Sequence, residues 1–239
     1  MSPMEKEEIV DLLRRELESV IAERRAAKSD PAAHAARVAL RCFQAQRMAQ
    51  THADLLAASQ SNAAAKFFLN DLYGPDDVTQ RDANLERVIP TMERLLPVSA
   101  LKTIVDAVAL DALSEKLDAA MARKLGENFT EQDYIAAYTG CTSRADRERQ
   151  LAYVEAVGNA LCELVRIPLV GSTLAVMRGP AKLANLEELQ NFLERGFKAF
   201  KKMKRPQDFV ATIIHREREI MDRLYSGKDK PFTVVPTIG

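Results

Sequence analysis

QDFVATIIHREREIMDRLY, residues Gln207 to Tyr225, decides how this chain folds. Val210, Ile213, Ile214, Ile220, Met221 and Leu224 stand at offsets 0, 3, 4, 10, 11 and 14, the spacing of one face of an α-helix. The position missing from that series, offset 7, is Glu217. A carboxylate on a core-facing stripe is costly unless a cation or hydrogen-bond donors meet it. Arg41, on an apolar face of an earlier helix, is the expected partner. Without a cation, burial would raise the pKa of Glu217 and make it a candidate acid or base. His215 is two positions away and points elsewhere, so a local His–Glu dyad is not expected.

The same period runs outward through the chain. Of 239 residues, 47% are hydrophobic and 28% charged, with nine glycines and no tryptophan, a composition that favours folded helix over disorder. In the first helix Ile9, Leu13, Leu17, Val20 and Ile21 recur at helical spacing. A second helix, capped at Asp30-Pro31, runs to about Ser59 with a stripe of Val38, Cys42, Ala45, Ala49, Ala53 and Leu56. A third holds Phe67 to Tyr73 and stops at Gly74-Pro75. Asp76 to Thr79 offers a new cap, and the apolar positions from Leu85 to Leu96 continue through a kink at Pro90, with Pro97 ending the segment. From Ser99 to Leu125 apolar residues spread around the helix, which marks it as central. Helices beginning at Thr130 and Ser143 follow. Pro168 and Gly171 then bend or break the chain before a short segment, Ser172 to Arg178, and after Gly179-Pro180 a helix runs to about Lys204. The expected fold is all-α: a single compact bundle of roughly nine helices with partly orthogonal packing. Residues 1–227 would form one helical domain, and residues 228–239 an extended or flexible C-terminal tail.

Charge and cysteine usage exclude some classes. The 34 basic and 34 acidic residues cancel, so no global field recruits a polyanion. Cys42, Cys141 and Cys162 are odd in number and scattered, which argues for free thiols in a reducing compartment. No signal-like run opens the chain, and the most apolar run, Ile167 to Met177, is far shorter than the roughly 20 residues of a membrane span. A soluble cytoplasmic protein is expected.

Several stretches resemble an uncharacterised bacterial family of all-helical proteins known only as a domain of unknown function. They are FFLNDLYGPDD (Phe67 to Asp77), Arg81-Asp82 followed by Leu85, Val88 and Pro90, MRGPA (Met177 to Ala181), NFLERGFKAF (Asn191 to Phe200) and TIIHRE (Thr212 to Glu217). The resemblance spans most of the chain after residue 60. It implies a single helical domain of bacterial cytoplasmic origin, and it carries no activity, ligand or catalytic residue.

Glycine-rich nucleotide loops, zinc-helix, paired-cysteine and nucleophile-elbow motifs are all absent. His34 and His52 share a face of the second helix but stand about 27 Å apart on a continuous helix, too far for one metal ion. Asp111, Glu115 and Asp118 form a row on the central helix that reads as a solvated face, or as oxygen ligands if a neighbouring helix adds more. No metal or cofactor is expected. Arg195, Lys198, Lys202 and Arg205 form a basic ridge opposite Leu193, Phe197 and Phe200, a pattern that can meet nucleic acid or an anionic membrane surface. The tail residues Phe232, Val234, Val235 and Ile238 could dock on another chain. The expectation is a non-enzymatic helical protein binding a protein partner, a second copy of itself or a small ligand. The alternative is a helical enzyme or haem- or metal-binding protein with an interior polar pocket formed by Glu217, Arg41, Asp71, Tyr73 and His52.

Overall fold

A computed structural model describes residues 3–72, 87–90, 93, 98–183 and 187–233. Among them every regular element is helical. In order these are α1 (Pro3–Ser29), α2 (Pro31–Thr51), α3 (Ala53–Ala57) and α4 (Asn62–Lys66), which runs into a π-helical turn (Phe67–Leu72). Then come α5 (Val98–Leu125), α6 (Glu131–Cys141), α7 (Arg144–Leu164), α8 (Pro168–Leu183), α9 (Glu187–Lys201) and α10 (Pro206–Tyr225). Residues 87–90 are helical as well.

The helix with apolar residues on several sides is the centre. α5 packs on α1, α2, α6 and α7, and its Leu101, Val105, Val108, Ala112, Met121 and Ala122 are buried toward different neighbours. On one side Val10, Leu13, Leu17 and Val20 of α1 pack against it with Ile89. On another, Leu40 of α2, Met121 and Tyr134 form an aromatic layer. The third cluster joins the π-turn, α7, α9 and α10 through Phe67, Phe68, Phe200, Phe209, Val210, Ile213 and Ile214.

Local signals fix the ends. Asp30 accepts from the amides of Ala32 and Ala33 to start α2, and Thr130 with Asp133 closes a reciprocal capping box on α6. Gly126, at φ 66°, takes the left-handed conformation that ends α5. Two contacts need glycine for space. A Cβ at Gly158 of α7 would lie 2.8 Å from Val210 Cγ1, and one at Gly196 of α9 would lie 2.8 Å from Phe67 Cζ.

Four expectations are corrected. The second helix does not reach Ser59: it stops at Thr51, and His52 (φ −112°, ψ 26°) breaks it before α3. Its buried face is Ala36, Arg37, Leu40 and Met48, whereas Val38 and Cys42 of the expected stripe are exposed. Residues 168–183 form one helix rather than a broken segment. Pro168 sits in its first turn, and Pro180 removes only the bond to the carbonyl of Val176, an exposed position where water can replace it. α9 ends at Lys201, not Lys204, because Met203 and Pro206 turn back into the interior. Where the described chain ends, residues 228–233 carry turns, with Pro231 buried and the Phe232 ring 5.9 Å from that of Tyr134, so Phe232 is held by its own chain. Tyr73, the Gly74-Pro75 stop, the cap at Asp76 to Thr79, Leu85, Met92, Leu95 to Pro97, Val234, Val235 and Ile238 lie outside the described residues.

Candidate functional site

Glu217 of α10 faces the break between α2 and α3, with 14% of its side chain exposed. Arg47 Nη1 donates to both of its carboxylate oxygens at 2.6 Å, and His52 Nε2 lies 3.0 Å from Oε1. Burial alone would raise the carboxyl pKa; the Arg47 charge and the His52 bond overcome it and hold it at about 2. Burial works against the Arg47 charge too, and the field of Glu217 raises its pKa instead. The neighbouring residue grips the other side of the break. Arg216 donates to Asp54 at 2.6 and 2.7 Å and to the Thr51 carbonyl at 3.1 Å. Consecutive residues of α10 therefore clasp one elbow.

The cation expected at Glu217 is elsewhere. Arg41 donates to Glu115 of α5, and so do Arg37 and Arg24, the last at 2.9 Å. Glu115 is 2% exposed, and three arginine charges lower its pKa against the opposing effect of burial. Arg24 also bonds Asp111 at 2.7 Å, and Gln44 donates to buried Asp118 at 3.0 Å. The acidic row on α5 is thus an interior seam matched by arginines, not a solvated face. Desolvation pushes Asp118 above the usual carboxylate range.

Of the five interior candidates, the structure brings together Glu217 and His52. Arg41 serves Glu115. Asp71 lies in the π-turn, and Tyr73 is outside the described residues. Arg47 and the Arg216–Asp54 pair were missed, although a readable trace existed: Arg37, Arg41, Gln44, Arg47 and Thr51 recur at helical spacing and mark a polar face of α2. Three nitrogens around the elbow, Arg47 Nε, His52 Nδ1 and Arg216 Nε, are buried without a hydrogen-bond partner. No group of His, Cys, Asp and Glu among the described residues could hold a metal ion. A carboxylate with a pKa near 2 is a weak base at neutral pH, so the arrangement is suited to joining helices rather than moving protons.

The basic ridge is at the surface. Residues 168–205 carry eight basic and three acidic side chains, a charge of +5 in a chain whose total is zero. All eight cations are exposed, whereas Glu194 is buried. Arg178 donates to Glu194 at 2.5 and 2.6 Å, Gln190 at 3.0 Å and Lys198 at 2.9 Å, so its carboxyl lies well below the ordinary range. These bonds tie α8 and α9 into one helical hairpin, with Gly171 against Phe197. Arg195 and Lys198 belong to α9, Lys202 lies in the turn that follows, and Arg205 is at the start of α10, so the ridge curves off the helix end.

Residues 23–231 match the family model described as Domain of unknown function (DUF8198). The chain belongs to this family. The DUF8198 match includes both the elbow clasped by Arg216 and Glu217 and the basic hairpin. No curated protein and no solved structure matches the chain. No helix among the described residues of this DUF8198 protein is long and apolar enough to cross a membrane.

Proposed function

We propose that this DUF8198 protein is a non-enzymatic binding protein that presents the α8–α9 hairpin to an anionic partner, with the ion-paired interior as its rigid frame. The observation that carries this is the segregation of charge: +5 within residues 168–205 and −5 over the rest of the chain. Such a patch attracts polyanions although the net charge is zero. All three cysteines are free, which supports placing the protein in the cytoplasm. Lys198 is engaged by Glu194, so Lys202 and Lys204 are the cleaner sites for a test. The wild type should be retained on immobilised heparin despite a pI near 6.9, and Lys202→Glu with Lys204→Glu should release it at lower salt. A wild type that flows through at low salt refutes the reading.

A second reading rests on the orphan nitrogens of Arg47, His52 and Arg216, which a small polar ligand at the elbow would satisfy. Native mass spectrometry should then show a bound mass that His52→Ala loses. A bare wild-type mass rules that reading out.

A further inference from the structure

We infer that the anionic partner is a lipid bilayer surface rich in acidic headgroups, onto which α8 lies flat with Val176 immersed. This rests on the reading of the hairpin as an anion-binding surface and names its partner.

Charge alone would suit nucleic acid or an acidic peptide equally well. The apolar surface separates them. Six large hydrophobic residues are exposed among the described residues, and four of them, Ile167, Val176, Met177 and Leu193, lie on or beside this hairpin. Val176 is the most exposed of all, at 74%. Pro168, Ser172, Ala175, Val176 and Gly179 line the outer face of α8, which has no acidic residue and carries its two cations, Arg178 and Lys182, toward one end. Among the described residues α8 packs chiefly on α9. An apolar helix flanked by cations and attached to its protein along one side is the chemistry of an interfacial anchor. At 16 residues it is too short to cross a bilayer but long enough to lie in its surface.

Single-stranded nucleic acid asks for aromatic faces on which bases stack. Of the hairpin's aromatic rings Phe200 is buried against Phe209, and the half-buried Phe192 and Phe197 are occupied by Phe67 and by Gly171 and Lys201. The most exposed side chains are aliphatic and cationic, and lipid complements both at once. Each lysine or arginine near an acidic membrane contributes roughly a fivefold gain in partitioning.

The chain has no tryptophan, so Val176→Trp places a single reporter at a position already open to solvent. Vesicles of phosphatidylglycerol mixed with phosphatidylcholine should shift its emission to the blue, and brominated acyl chains should quench it. Pure phosphatidylcholine should do neither. Lys202→Gln with Lys204→Gln should raise the lipid concentration for half-binding roughly 30-fold at low salt. Co-sedimentation of the unlabelled wild type checks that the reporter has not altered binding.

Retention on heparin without vesicle binding overturns the lipid assignment and leaves the anion-binding reading standing. Absence of both overturns both. Co-sedimentation without a blue shift overturns immersion. A blue shift that grows with protein concentration in the absence of lipid shows a second copy covering α8, and overturns the inference too.

Discussion

Glu217→Gln tests the clasp at the elbow most directly. The carboxyl sits at about 2 in the folded protein against an ordinary value of 4.5. A difference of about 2.5 units, at about 1.4 kcal/mol each, makes ionised Glu217 worth about 3 kcal/mol of folding free energy at neutral pH. The sign follows from proton binding. Between these pKa values the unfolded chain holds the proton and the folded chain does not, so the stabilisation is complete above about pH 5 and is lost as pH falls toward 2. About 2 kcal/mol of it is gone at pH 3. Glutamine keeps the shape but cannot ionise, and it leaves the Arg47 charge buried without a counter-ion. Urea unfolding followed by far-ultraviolet circular dichroism should therefore separate wild type and variant by about 3 kcal/mol at pH 7 and by about 1 kcal/mol at pH 3. Other carboxylates titrate in both proteins and cancel in the comparison. Equal gaps at the two pH values, or no gap at pH 7, would refute the buried pair. Arg47→Gln should erase this pH dependence, whereas Arg41→Gln should leave it intact.

Further substitutions probe the frame. Glu115→Gln strands the charges of Arg24, Arg37 and Arg41 in the interior and should lower stability by about 3–5 kcal/mol by urea unfolding; adding Arg41→Gln should recover part of the loss, and strict additivity of the two would contradict the shared contact. Asp118→Asn should raise the melting temperature at pH 7 but not at pH 3, because burial lifts the folded pKa of Asp118 and the cost builds as pH rises from the ordinary carboxylate value to the raised one; an unchanged or lower melting temperature at pH 7 counts against a strained carboxylate. Gly158→Ala and Gly140→Ala should differ in sign by calorimetry. The first drives a methyl into Val210 and costs about 1–3 kcal/mol, while the second meets nothing within 4 Å and gains about 0.5 kcal/mol of helix propensity.

Much of the fold was legible because apolar spacing and caps are local. The α1 stripe, the many-sided apolar surface of α5, the Thr130 and Ser143 starts and the Gly126 stop all follow from neighbours in sequence. α2 was misphased for a physical reason. Its inner face holds Arg37, with Arg47 half-buried beside it, so apolar content points to Val38 and Cys42, which are outside. The same substitution of charge for apolar packing hid the role of Glu115, whose acidic row looked like a surface. Glu217 stood out because a single carboxylate interrupts an otherwise unbroken stripe. Arg41 was the wrong partner to expect: Arg41 and Arg47 both sit on α2, and only tertiary packing gives the first to Glu115 and the second to Glu217. The break at His52 was likewise unreadable: its polar partners lie on α10, more than 160 residues away along the chain.

That separation has a consequence for how the chain is made. A nascent chain grows at roughly 5–20 residues per second, so the elbow at residues 47–54 waits on the order of 10–30 s before Arg216 and Glu217 exist to clasp it. Throughout that interval Arg47, His52 and Asp54 lack their counterparts, and the first half of the molecule is an unfinished intermediate that cannot lock. Nascent chains arrested before Pro206 should accordingly be cut by protease near His52, and chains released after Tyr225 should resist.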